Sequence, residues 1–268
     1  MKVGIIGVGQ AGGKMTDALV GYERQTRTAF VADAIAVNSA RTDLLGLRNL
    51  PMDRRVLGGQ SRGKGNGAGA NNELGAEIAR EDSEEVLAEV AEFPVEEIDA
   101  FLVVAGLGGG TGSGGAPVYA GELRERFEEP VYGLGALPAR AEGGIYQLNA
   151  ARSFKTFVRE VDNLLVVDND VFQLPEDDSL AASFARVNRE VARRLGVLLT
   201  ASEGYGLRGP EMVVDASEVI NTLSTGGVSS VGYATADLEV EPRGLVDRLL
   251  DRRPVPDLAG TDAASRLV

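Results

Sequence analysis

Residues 101–114 read FLVVAGLGGGTGSG, and the rest of the chain can be organised around them. Phe101–Ala105 is an unbroken apolar run, as expected of a strand buried on both faces of a parallel sheet. Glycines then crowd one corner, where the bare backbone can wrap an anion. Thr111 and Ser113 add hydroxyl donors, and a helix opening at Thr111 would aim its positive end at the same point. A merely flexible turn has no use for this composition. Outward from this corner, Val3–Ile6, Ala34–Val37, Val131–Ala136 and Leu164–Val167 repeat the short apolar run. Helical patterns over Thr111 to Phe127 and Glu142 to Val161 alternate with them, and Asp82 with Glu85 reads as a capping box ahead of Val86, Val90 and Phe93. The alternation predicts an α/β fold with an open, doubly wound parallel sheet. Gly58–Gly75 is too rich in glycine for either element and reads as one long loop.

The alternation stops at Ser179–Ala201. There Leu180, Phe184, Val187, Val191, Leu195 and Leu198 recur at helical spacing, and Ser179 can cap the helix. This long central helix divides the chain into a nucleotide-type domain, 1–178, the helix itself, 179–201, and a smaller α+β domain, 202–268. The last is expected to hold a loop at Ser202–Glu211, a helix near Ser217–Leu223, a strand near Val228–Ala234 and a linker-like Arg252–Asp257 with Pro254 and Pro256.

Composition excludes several chemistries. Of 268 residues none is His, Cys or Trp. Disulfides, thiolate zinc sites, cysteine nucleophiles, histidine triads and most transition-metal sites are therefore out of reach. Acid–base work is left to Asp, Glu, Lys, Tyr or water. A net charge of −13 lacks the basic footprint of a nucleic-acid binder or of a protein held on anionic membrane. No apolar run approaches the ~20 residues of a membrane span. The start, MKVGIIGVGQAGG, reads as a strand and glycine loop rather than a leader, so a cytoplasmic protein is expected. Lysine stands only at 2, 14, 64 and 155. Acid excess with scarce lysine suits a saline interior, where screening falls to ~3 Å near 1 M salt; an ordinary acidic protein of a GC-rich bacterium is the alternative.

Two other glycine motifs stand in the chain. Gly7, Gly9 and Gly12 give G-x-G-x-x-G after the first strand. The dinucleotide form needs an acid about 20 residues on, at the end of the second strand. Here that strand ends in Val37-Asn38-Ser39, and Asp33 lies before it, which disfavours NAD. Gly58–Gly65 nearly spells a Walker A loop, but Gly65 replaces the metal-binding hydroxyl and no clear strand precedes it, so that reading is rejected.

Gly108, Gly109, Gly110, Thr111, Gly112, Ser113 and Gly114 together resemble the signature loop of the tubulin/FtsZ superfamily. The resemblance extends in order over residues 1–234. Gly9, Gln10, Ala11 and Gly12 resemble tubulin's first phosphate loop, and Asn38 opens the second. Gly67, Ala68, Gly69, Ala70 and Asn71 match the GAGAN loop of FtsZ. Pro138 and Glu142 resemble the loop that meets the ribose, Asn169 the base-contacting Asn, and Phe184 with Asn188 the pair that stacks on and bonds guanine. Gln10 beside FtsZ-like loops, in an acid-rich chain, is most similar to the archaeal CetZ proteins. The resemblance implies GTP or GDP with Mg²⁺, which Gln10 or Asn38 would reach through water. It also implies a larger C-terminal domain than follows Ala201, so the second domain here would be reduced or truncated. Independently, Phe184 and Asn188 share one helix face, though without the other loops Phe184 on the apolar stripe is better read as core.

Asp215 and Glu218 fall where the family has its catalytic T7 loop, with Val213 in place of the family Asn. Read as residues alone they are an N-cap and capping-box pair. The resemblance implies instead that they position water at the GTP of the next subunit. The function implied is a cytoskeletal GTPase of a halophilic archaeon, assembling head-to-tail with copies of itself into protofilaments for cell shape or division. No nucleic-acid partner is expected, and any membrane association would run through other proteins. A nucleotide-dependent scaffold with little hydrolysis and, further off, an NAD-dependent Rossmann oxidoreductase are the alternatives.

Overall fold

The computed structural model describes residues 1–60, 65, 67–172, 179–201 and 214–233. The elements are β1 (Val3–Val8), α1 (Gly9–Thr26), β2 (Val31–Asn38), α2 (Arg41–Leu45), β3 (Arg55–Leu57), α3 (Asn72–Glu81), α4 (Ser83–Ala91) and β4 (Ala100–Gly106). Then follow α5 (Thr111–Arg126), β5 (Val131–Leu137), α6 (Gly144–Glu160), β6 (Asn163–Asp168), α7 (Leu180–Leu199), α8 (Ala216–Leu223) and β7 (Val228–Ser229).

The strands form one parallel sheet of seven in the order β3-β2-β1-β4-β5-β6-β7. Successive side chains face opposite layers. Ile5, Ala36, Val104 and Leu165 pack with Met15 and Leu19 of α1, Val191 and Leu195 of α7 and Leu223 of α8. Ile6, Val37, Val103 and Val166 pack with Val90 of α4, Leu123 of α5 and Phe157 of α6. Burial on both faces explains why the strands are continuous apolar runs. The chain leaves β1 toward β2 and β3, then returns to β4 on the other side of β1. That reversal opens a crevice beyond the strand ends of β1 and β4, where such sheets hold ligands.

Several local expectations need correction. Gly58–Gly75 is not all loop: α3 starts at Asn72, capped by Asn71 Oδ1, which accepts from Leu74 N at 3.1 Å. Gly75 is helical, and its lack of a side chain serves packing, because a Cβ there would stand 2.2 Å from the Gly110 carbonyl oxygen. Asp82 sits at the N-cap of α4 but makes no side-chain cap bond; its carboxylate accepts from Gly59 N instead. The helix expected from Glu142 starts at Gly144, because Arg140–Glu142 forms a separate 3-10 turn. Strand β3, which the sequence reading misses, is three residues long and begins with an arginine whose guanidinium donates to the carbonyls of Leu44 and Leu50. Ser179 does cap α7, its Oγ accepting from Ala182 N at 3.3 Å. Within the strand expected near Val228–Ala234, only Val228–Ser229 pairs. Residues 61–64, the loop at 202–211, Val213, Ala234 and the linker at 252–257 lie outside the described residues. No helix among the described residues is long and apolar enough to cross a membrane.

Candidate functional site

The crevice is a cavity of about 600 Å³ at the C-terminal ends of β1, β2, β4, β5 and β6. Of the residues singled out by sequence, it is lined by Gln10 and Ala11, Asn38, Gly67–Ala70, Gly108–Gly112, Pro138 and Glu142, Asn169, and Phe184 with Asn188. Five others stand behind this lining. A Cβ on Gly9 would lie 2.7 Å from Gly112 N, and one on Gly12 would lie 2.1 Å from the Val104 carbonyl oxygen, so these two let α1 pass at contact distance from α5 and β4. Gly114 does the same between α5 and α3, 2.1 Å from the Asn72 carbonyl oxygen. Asn71 caps α3, and the Ser113 hydroxyl donates to the Gly109 carbonyl. Lys14, Asp43 and Tyr146 also line the cavity and were not anticipated.

Helices α1 and α5 both start at this cavity. Neither has a side-chain cap or an acidic residue in its first turn. Their first N–H groups therefore remain open donors, with the positive end of each helix dipole behind them. In a chain of net charge −13, two such starts at one hollow suit an anion.

Long-range hydrogen bonds hold the loops in register. Ser39 Oγ and Thr111 Oγ1 are 2.7 Å apart, and Gly67 N donates to Ser39 O at 3.0 Å. Asn149 of α6 is buried, and its Nδ2 donates to Ala70 O at 2.7 Å and Gly108 O at 3.0 Å, tying the two glycine loops together. On the opposite wall Glu142 Oε1 accepts from Ala139 N at 2.8 Å and from Asn169 Nδ2 at 3.4 Å. Gln147 Nε2 donates to the carbonyls of Pro138 and Ala139 at 3.1 and 3.0 Å. Behind Asn169, burial pushes the Asp168 carboxyl above the ordinary range, against the Asp170 N–H that it accepts.

Phe184 is half-buried and lies on the cavity wall beside Val187 and Asn188 rather than within the buried core. Its ring thus offers an aromatic face to the hollow, one turn from an amide that can read hydrogen bonds.

Asp215 and Glu218 do not line the cavity, and both are exposed. Glu218 Oε2 accepts from Asp215 N at 3.2 Å, which realises the capping half of the sequence reading. Helix α7 runs 20 residues, about 30 Å, from the cavity to the edge where the strands begin, and Leu199 O there accepts from the Met1 amino group. The end of α8 is tied to that same edge by Asn163 Nδ2, which donates to the carbonyls of Leu223 and Gly226 at 3.2 Å each. Asp33 does not precede the second strand as the sequence suggests but lies within β2, where Arg54 engages it at 2.6 Å, and the strand end carries Asn38 instead of an acid. Among the described residues no group of three or more His, Cys, Asp or Glu could hold a metal by itself.

Residues 2–173 match the family model described as "Tubulin/FtsZ family, GTPase domain", and residues 177–267 match "Tubulin-like CetZ, C-terminal domain". The chain is 61% identical over 268 residues to "Tubulin-like protein CetZ3" of Haloferax volcanii, covering 100% of this chain and 68% of that protein. Over 255 residues it is 58% identical to "Tubulin-like protein CetZ1" of the same organism, covering 93% and 64%. Its fold is similar to "CetZ1 from Haloferax volcanii - GDP bound monomer", at TM-score 0.81 and 58% identity over 87% of this chain and 67% of that one. It is also similar to "CetZ2 from Haloferax volcanii - GTPgS bound protofilament", at TM-score 0.82 and 47% identity over 88% and 67%. The chain spans about two thirds of the length of these relatives.

Proposed function

The chain belongs to the Tubulin/FtsZ family, with the CetZ proteins, and we propose that it binds GTP and GDP in this cavity and assembles head-to-tail with its own copies as a cytoskeletal GTPase. The observation that carries the proposal is the meeting of two uncapped helix starts and two glycine loops in one hollow. One relative of known structure holds GDP and another is a GTPgS-bound protofilament, which supports the same reading. The proposed protein works in the cytoplasm, in cell shape or division, with 1–178 binding nucleotide, 179–201 connecting and 202–268 meeting the next copy.

In this proposal the backbone amides of Gln10 and Ala11, Ala68–Ala70 and Gly108–Gly112, which line the cavity, hold the phosphates, which need a polarised N–H surface and little else. Pro138 and Glu142 meet the ribose. Phe184 stacks on guanine, while Asn169 and Asn188 bond its edge. The donors available to a cation at the phosphate end are oxygens of Asp43, Gln10 and Asn38, a hard set that fits Mg²⁺. Bound there, Mg²⁺ would offset charge on the β- and γ-phosphates. Asp215 and Glu218 cannot serve the cavity of their own chain, so in the proposal they meet the nucleotide of a neighbour. A carboxylate there orients water for in-line attack on the γ-phosphorus and takes its proton as the bond to the bridging oxygen breaks, leaving GDP and phosphate.

Glu218 favours a second reading through its own bond. Because its carboxylate already accepts from Asp215 N, it can be a cap alone, in a scaffold that hydrolyses little. Turnover and sedimentation in high KCl over a range of protein concentrations decide between them. Turnover per subunit that rises with concentration, and is lost in Glu218→Ala while GTP stays bound, supports the split site. Assembly with turnover indifferent to Glu218→Ala supports the scaffold.

A further inference from the structure

We infer that Asp43 is the residue through which a divalent cation governs nucleotide binding, an inference that rests on the function proposed above. Asp43 lies on α2, just beyond the end of β2, and lines the cavity beside Gln10 and Asn38. Its two oxygens are each held by a side-chain amide: Oδ1 accepts from Gln10 Nε2 at 3.1 Å and Oδ2 from Asn38 Nδ2 at 3.0 Å. Asn38 is fixed at its other end, where Oδ1 accepts from Ala40 N at 3.1 Å. The three side chains therefore form one braced unit across the mouths of β1 and β2.

The unit is a poor neighbour for a bare polyanion. Gln10 and Asn38 are uncharged, so neither offsets the carboxylate. Among the described residues the other charged groups on the cavity wall are Lys14, one turn beyond Gln10, and Glu142, held at Ala139 on the opposite side. The glycine loops on the same wall present backbone N–H groups, which favour anions. A fixed carboxylate in such a wall repels a triphosphate unless a cation stands between them, and an oxygen anion presented beside phosphate oxygens is the environment that Mg²⁺ accepts through its water shell. Asp43 is thus a positioning residue: it orients Gln10 and Asn38 and converts cation occupancy into affinity.

The test is equilibrium binding of GTP to the full chain in high KCl, in excess Mg²⁺ and in EDTA, for wild type, Asp43→Asn and Asp43→Glu. Wild type is expected to bind about tenfold more weakly in EDTA. Asp43→Asn should bind more tightly in EDTA than wild type does, and its ratio between the two conditions should fall toward one. Asp43→Glu, which keeps the charge, should retain most of the dependence. A ratio in Asp43→Asn equal to that of wild type overturns the inference. Circular dichroism checks the fold, and Asp43→Ser takes the same measurement if Asp43→Asn is not folded. Wild type that binds no guanine nucleotide in either condition overturns the proposed function itself, which separates the two failures.

Discussion

The Asn149 side chain donates to the Gly108 carbonyl oxygen at 3.0 Å across 41 residues of sequence. The same nitrogen reaches Ala70 O at 2.7 Å, so one buried amide sets the spacing of two glycine loops. Asn149→Ala would strand both carbonyls, and a loss of about 1–3 kcal/mol is expected in chemical denaturation. Asn149→Asp should be worse, because it sets a carboxylate against two carbonyl oxygens. Guanine-nucleotide affinity should fall in both; unchanged stability in Asn149→Ala would show that the amide is not needed.

Gly12 and Gly109 separate packing from binding. A Cβ on Gly12 would collide with the Val104 carbonyl, and Gly12→Ala is expected to cost about 1–3 kcal/mol or more through a forced shift of α1. Nothing lies within 4 Å of a Cβ on Gly109, which lines the cavity. Gly109→Ala should melt within a degree or two of wild type yet bind GTP more weakly. Thermal melts and binding isotherms on the same preparations check both.

Phe184 lies outside the buried core, so Phe184→Leu should fold normally. If the ring stacks on a base, the variant loses about 1–3 kcal/mol of binding, because a branched aliphatic side chain offers no π face. Full binding in Phe184→Leu would return the residue to a packing role.

Asp168 gives a pH dependence with a definite sign. Burial raises its carboxyl above the ordinary value, so the folded state holds that proton to higher pH than the unfolded chain does. The ionised group therefore costs stability above its folded pKa, and the cost disappears below its unfolded pKa. Asp168→Asn, which can still accept from Asp170 N, should raise the melting temperature at pH 7 and leave it unchanged in acid. Denaturation of both proteins across that range reads the difference.

What the sequence disclosed follows physical range. Val3–Val8 and Ala100–Gly106 are buried on both faces, so their continuous apolar runs were plain, and the glycine corner at 108–114 announced itself by composition. The phosphate-end loops were legible by composition too, whereas Phe184 was not: on the apolar stripe of its helix it reads as core, and only the resemblance singled it out. Gly75 was misread because glycine for close helix packing looks the same as glycine for a loop. Asp82 was misread because its carboxylate serves Gly59, 23 residues away, rather than its own helix. Asn149, Asp43 and Tyr146 carried no local signal: their partners come from other elements, and an isolated Asn, Asp or Tyr on a helix has no pattern until the sheet places it beside a cavity.

Binding measured by titration calorimetry in high KCl with Mg²⁺, using GTP, GDP, ATP and NAD, bears most directly on the idea that these loops converge on one guanine nucleotide. One GTP per chain is predicted, with ATP and NAD weaker by about a hundredfold, or roughly 2.7 kcal/mol. Equal affinity for ATP, or GTP affinity untouched by Gly109→Ala, would contradict it.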